Sequence, residues 1–226
     1  MTDARAQILA GLRRALGRKP EDQTARQAVE ARLAARIRGP VPAAIAIGPD
    51  EQIAMFRAKA EAVAATVDHI AGIGDLAAAV ADYLAARNLA PEVVVTPDPL
   101  LDSGGWAERP LLKLRRGMPG AGDGASVTCA FAGVAETGSA VLWSNRDNPH
   151  SASFLPDTNI VVVPAKRIVA GLDDVWDRLR AQGAVLPRAV GLITGPSRTG
   201  DIEQKIELGA HGPRRLHLVI VDDHGA

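Results

Sequence analysis

Three short segments of the 226-residue chain gather the residue types that do chemistry. Residues 135–139 read Ala-Glu-Thr-Gly-Ser and place one carboxylate and two hydroxyls in a small-residue turn before an apolar run. There Glu136 could act as a base, an anchor or a nucleophile toward an acyl group, with Thr137, Gly138 and Ser139 around the ligand. The same residues also suit a plain turn in which Gly138 takes positive φ and the hydroxyls bond the backbone. The second segment, residues 194–201, carries Gly195, Ser197, Arg198, Thr199 and Asp201. Its glycines and hydroxyls could cradle an anion, with Arg198 gripping a carboxylate or phosphate in a fork. Equally, Asp201 with Gln204 resembles the capped start of a short helix. In the third, residues 209–213, His211 titrates near neutrality if unperturbed, so it could carry a proton or simply sit in a turn.

Other chemistry is absent from the pattern. The 194–201 segment lacks the Lys-Ser/Thr ending of a P-loop and the spacing of a dinucleotide fingerprint, so no cofactor is expected. His211 and His217 do not stand at a metal-ligand spacing, and no metal site is expected. Residues 144–153 are rich in hydrogen-bonding groups and suit the rim of a site. Asp147, His150 and Ser151 could be arranged on paper as a triad, but no nucleophile elbow accompanies them. Residues 222–224 read as a solvated tail.

The elements that would position these loops can be read from periodicity. Two helices are expected around 2–17 and 24–38, the second with Val29, Leu33 and Ile37 on one face. Ile53, Phe56, Ala60, Val63 and Val67 mark a long third helix, and Leu76, Val80 and Leu84 a fourth. A β-branched run at 92–96, between Pro91 and Pro97, predicts a buried strand. Residues 97–124 hold most of the glycines and prolines of the middle of the chain and read as an irregular excursion, with a short strand at 111–114. Apolar runs follow at 126–131, 139–143, 160–163, 189–194 and 216–221. Such continuous runs suit strands covered on both faces, and Leu172, Val175, Trp176 and Leu179 mark a helix among them. The expected class is therefore α/β, a mostly parallel sheet with helices on both faces. A helical N-terminal arm, residues 1–45, precedes an α/β domain, residues 46–226. Ligands in such sheets bind beyond the carboxyl ends of the strands.

Composition narrows the function classes. Lys plus Arg and Asp plus Glu both number 26, so a nucleic-acid partner held by phosphate neutralisation is not expected. Seven aromatic residues are too few for a broad base-stacking surface. Cys129 stands alone, so it can build neither a disulfide nor a cluster site within these residues. A reducing, cytoplasmic setting is the simplest expectation. Arg5, Arg13 and Arg14 are interleaved with apolar residues at helical spacing rather than followed by a secretion-signal run, and no run approaches a membrane span. The first 40 residues hold nine basic against four acidic side chains. That segment reads either as an arm packing on its own domain or a partner, or as a binder of anionic surfaces.

The motifs Ala135-Glu-Thr-Gly-Ser139, Leu155-Pro156 before Ile160-Val-Val-Val163, Ile193-Thr-Gly-Pro-Ser-Arg-Thr199 with Asp201-Ile-Glu203, and His211-Gly-Pro213 before Leu216-His-Leu-Val-Ile-Val221 occur in that order. Together they resemble the lactate utilisation protein C family with its LUD domain, over about residues 125–223. The resemblance implies a Rossmann-like fold similar to the isomerase and coenzyme A transferase superfamily. It also implies a part in oxidising L-lactate to pyruvate beside two iron–sulfur partner proteins. Two readings stay open. In one the chain is a non-redox component of that system, its helical N-terminus a docking element. In the other it is an enzyme or ligand-binding subunit for a small carboxylate, phosphorylated or coenzyme A-linked compound. Glu136 would then be the reactive carboxylate, Arg198 with Ser197 and Thr199 the anion clamp, and His211 the proton carrier. A homo-oligomer is compatible with either.

Overall fold

A computed structural model describes residues 3–19, 22–120, 122–183, 187–202 and 205–222. Two compact units result, residues 1–40 and 41–226. The first consists of helices α1 (Ala4–Ala15) and α2 (Gln23–Ala35). Asp3 and Asp22 cap them, accepting from the backbone N–H groups of Arg5 and Ala25 at 3.0 and 2.9 Å. Neither helix buries a residue, and Ile8, Leu12, Leu16, Leu33 and Ile37 are exposed.

The second unit is built on a six-stranded, wholly parallel sheet. Its strands are β1 (Thr66–Ile70), β2 (Glu92–Val95), β3 (Lys113–Arg116), β4 (Ala125–Cys129), β7 (Thr158–Pro164) and β12 (Arg215–Val221), in the order β1-β12-β7-β4-β2-β3. Every residue of β7 is buried, because the strand is covered on both faces. Alternation along it sends Val161 and Val163 to one core and Ile160 and Val162 to the other. Helix α3 (Pro49–Ala62) fills the first core with Phe56 and Ala60. Helix α4 (Leu76–Ala86) fills the second with Leu76, Val80 and Leu84. Pro49 opens α3, and the Glu51 carboxylate accepts from the Gly48 N–H at 3.0 Å, so the first turn is pinned from its own sequence. The expected α/β class, a mostly parallel sheet with helices on both faces, is what the chain forms.

Two expectations need correction. The third helix does not run through Val67. It ends at Ala62, Ala64 takes a left-handed φ of 67°, and Val67 lies in β1. No glycine or proline marks that break, so the apolar spacing alone carried the helix too far. The runs at 139–143 and 189–194 do not join the parallel sheet either. They form β6 (Ser139–Trp143) and β9 (Val190–Ile193) of a second sheet, ordered β8-β5-β6-β9, with β5 (Ala132–Val134) and β8 (Ile168–Val169). Only four residues separate β5 from β6, enough for an antiparallel hairpin and far too few for a parallel crossover. The small sheet packs on α3 through Ala140, Leu142, Ile168 and Ile193, and on helix α6 (Leu172–Ala181) through Val134, Val141 and Val175. A single turn of helix, α5 (Ser151–Phe154), packs on β4 and β7 of the parallel sheet, and strands β10 (Arg198–Ile202) and β11 (Lys205–Leu208) form a separate hairpin. Among the described residues no helix is long and apolar enough to cross a membrane.

Candidate functional site

The residues singled out in the sequence fall into two places. In the β5–β6 turn, Glu136 is half-buried beside Gly171, and its N–H donates to Ala170 O at 3.0 Å. Thr137 Oγ1 lies 2.7 Å from Ser139 Oγ, which lies 2.6 Å from Thr194 Oγ1. This chain of hydroxyls joins the turn to the strand end from which the 195–201 segment leaves. Gly138 has φ +68° and Gly195 φ +84°. A Cβ on Gly138 would stand 2.3 Å from the Ala60 nitrogen, and one on Gly195 2.5 Å from the Val63 oxygen. Both glycines therefore seat their turns against the end of α3. Gly138→Ala is expected to cost at least about 2 kcal/mol, combining left-handed backbone strain with a backbone collision. Gly200→Ala, where the added carbon meets open space, should be nearly neutral. Paired urea melts measure the difference, and equal midpoints would refute it.

The second place gathers the other loops. Ser197 N–H donates to Pro213 O at 2.8 Å, and the His211 N–H donates to Ser197 Oγ at 3.3 Å. The 195–201 and 209–213 segments thus touch through backbone and hydroxyl, with the His211 residue exposed. Arg198 is exposed and pairs with Leu208 across the β10–β11 hairpin. Thr199 is buried and accepts the Asp201 N–H at 3.2 Å; Asp201 itself is exposed. No helix starts at Asp201: residues 198–202 are extended and paired, and Gln204 lies outside the described residues. Among the described residues no hydrogen bond or ion pair joins Glu136 to Arg198. The paper triad does not form, since His150 Nε2 lies 3.3 Å from Leu142 O and its ring packs edge-on to Phe154. Asp222 is not a free tail, for its carboxylate lies 2.7 Å from His69 Nε2 and its N–H donates to Ile70 O at 3.0 Å.

A third constellation, of which the sequence pointed only to the 144–153 rim, occupies the place where open α/β sheets bind ligands. The chain leaves β2 toward the β3 edge and leaves β4 toward β7, so its connections part between β2 and β4. Asn148 bridges this point. Its Oδ1 accepts the Cys129 N–H at 3.2 Å and lies 3.0 Å from the Thr96 hydroxyl, while its Nδ2 donates to the Asp98 carboxylate. Asn145 Oδ1 in turn accepts the N–H groups of Asp147 and Asn148 at 2.8 and 2.7 Å, which fixes the 144–148 loop above the strand ends. Beyond β7, Arg167 Nη1 donates to Ala130 O at 3.0 Å and reaches Cys129 Sγ at 3.5 Å. A cleft of about 470 Å³ opens beside it, lined by Phe131, Trp143, Asn145, Lys166, Arg167, Arg178 and Gln182. The lining holds three basic side chains and no carboxylate.

Cys129, at the floor of this region, is not a reactive group. Burial pushes its thiol up to about 12, reinforced by the Asp98 carboxylate and opposed by Arg167. Iodoacetamide at pH 8 is expected to leave the native thiol unmodified over hours and to alkylate it fully in guanidinium. Mass spectrometry reads the added group, and rapid native labelling would contradict the packing. A polar residue directly after an apolar strand, Thr96 with Asp98, and the asparagines of the rim were the available signals for this constellation. Arg167 and Arg178 carried none, since charges on a short 3-10 turn and a helix look solvated in a sequence.

Residues 124–221 match the model of the LUD domain. Proteins called lactate utilization protein C are similar over part of the chain. The one from Bacillus subtilis is 39% identical over 93 residues, covering 40% of this chain and 39% of its own length. Those from Bacillus licheniformis and Geobacillus thermodenitrificans are 36% and 35% identical, covering 43% and 46% of this chain and 42% and 45% of theirs. The chain thus matches less than half the length of these relatives. A crystal structure of a DUF162 family protein from Deinococcus radiodurans superimposes with a TM-score of 0.57 at 22% identity, over 77% of this chain and 99% of that one, which shows the fold. The resemblance carried by the ordered motifs is borne out over residues 124–221.

Proposed function

We propose that this chain is a non-redox component of a lactate-utilising system, one that oxidises L-lactate to pyruvate with iron–sulfur proteins as partners, in the cytoplasm. The observations that support it are the match of residues 124–221, which include β4 and β7, to the LUD domain and the likeness of part of the chain to proteins named for lactate utilisation. The chemistry of the residues agrees. Oxidising a hydroxy acid needs an acceptor for two electrons, and the one thiol of these 226 residues is sealed in the sheet with its proton held on. In this reading electron transfer belongs to the partners, and this chain binds or positions. The test is native co-purification with iron–sulfur proteins, together with growth of a deletion strain on L-lactate. Association and loss of growth support the reading; no association with full growth ends it.

A second reading is favoured by the hydroxyl chain Thr137–Ser139–Thr194 beside Glu136. In it the protein is an enzyme or ligand-binding subunit for a small carboxylate, phosphorylated or coenzyme A-linked compound. Glu136 is its reactive group, Arg198 its anion clamp and His211 its proton carrier. Folded Glu136→Ala and Arg198→Ala variants that fully restore growth on lactate would remove that reading and leave the first.

A further inference from the structure

We infer that the cleft beyond β4 and β7 binds a phosphate ester carried on a planar aromatic base, that is, a nucleoside phosphate. Arg167 and Arg178 take the phosphate, and Phe131 and Trp143 take the base. The inference stands on this cleft alone and does not rest on the lactate reading.

Two guanidiniums line the cleft, and among the described residues neither has an ion-pair partner. Arg167 is held by Nη1 on Ala130 O, which fixes the plane of its fork. Arg178 is held by Nη2, donating to Lys166 O at 2.9 Å, and its Nη1 is buried with no acceptor. A buried, unsatisfied guanidinium N–H is a cost the fold does not recover within itself. Burial, and after it the charge of Arg167, weakens the hold of Arg178 on its proton, so the two cations feel one another across the cleft. Lys166 adds a third positive charge to the lining. A multiply charged anion relieves this arrangement better than a monocarboxylate, and paired guanidiniums match the geometry of phosphate oxygens.

The rest of the lining is not what an inorganic anion needs. Phe131 and Trp143 meet edge to face, with ring centroids 4.9 Å apart, and both remain partly accessible at the cleft. Aromatic faces of this kind stack on planar bases. Asn145 and Gln182 add amides able to read a base edge. The volume of about 470 Å³ falls in the range of sites for ligands far larger than a three-carbon acid.

The experiment is a titration of the full protein with AMP, ADP, adenosine, inorganic phosphate and L-lactate, read by thermal shift and by tryptophan fluorescence. AMP or ADP is expected to raise the melting temperature and quench the fluorescence, with adenosine and phosphate each at least about tenfold weaker. Arg178→Gln and Arg167→Gln should each weaken the nucleotide about tenfold or more, with circular dichroism unchanged. Trp143→Phe should lose most of the quench yet keep the thermal shift. The inference is overturned if millimolar AMP and ADP produce neither signal in the native protein. It is also overturned if phosphate or L-lactate alone matches them, or if Arg178→Gln binds as the wild type does. Co-purification with iron–sulfur proteins is independent of all these outcomes, so failure here and failure of the lactate reading are told apart.

Discussion

Phe56→Ala is expected to remove about 3–5 kcal/mol of stability, the cost of a buried aromatic replaced by a cavity the surroundings cannot close. The ring is fully buried on α3 between the two sheets, among Val161, Val163, Leu218, Ala140 and Ile168. It leaves little slack: a Cβ on Gly133 of β5 would already stand 3.0 Å from its Cε2 carbon. Collapse would require α3, the parallel sheet and the small sheet to move together, and each is tied by its own backbone ladder. The melting temperature should fall by roughly 10 °C, given the usual 2–4 °C per kcal/mol in a domain of this size. Phe56→Leu, which keeps most of the volume, should cost about 1–2 kcal/mol. Urea unfolding of the two variants beside the wild type decides it. An alanine variant within about 1 kcal/mol of wild type would mean that α3 does not join the two sheets as described.

That wedge also explains what could and could not be read from the residues. Strands β4, β7 and β12 were legible because burial on both faces forces continuous apolar runs, and α6 because its apolar residues recur at helical spacing. The division into two sheets was not legible, because runs of the same composition serve a parallel strand and a hairpin strand alike. Only the short 135–138 connection separates the two cases. Strand β1 was hidden since Ala64 ends α3 in a left-handed conformation with no glycine to announce it. At the candidate sites, the glycines of 138 and 195 were visible, and their positive φ was foreseeable at 138. Their contact with the end of α3 depends on packing between segments some 75 to 130 residues apart. The cleft lay furthest from view. Its Arg167 and Arg178 come from a short 3-10 turn and a helix, and only the packing of α6 on β5 and β8, with Arg178 donating to Lys166 O just after β7, brings both to one cavity.

Acid should destabilise the protein through His217 in a way a single substitution abolishes. His217 is 1% exposed in β12, stacked on Tyr83 at a centroid distance of 4.0 Å. Its Nδ1 lies 2.9 Å from the Thr66 hydroxyl. Burial pulls it down from the ordinary 6.5 to about 4, against the raising influence of Asp68, whose carboxylate lies 3.5 Å from Nε2. Arg87, which stands over the Tyr83 ring at 5.3 Å, pushes the same way as burial. The native state therefore keeps this imidazole neutral while the unfolded chain protonates it near 6.5, so between those values the unfolded state binds more protons. Stability is complete above about pH 6.5 and declines as the pH falls toward 4, by about 3 kcal/mol from this group at 1.36 kcal/mol per unit. His217→Phe removes the titration while leaving the surface carboxylates to contribute equally in both proteins. Urea midpoints measured from pH 7.5 to 4 should then fall more steeply for the wild type than for the variant, the gap opening below pH 6.5. Parallel profiles would show that His217 takes up its proton without leaving the sheet.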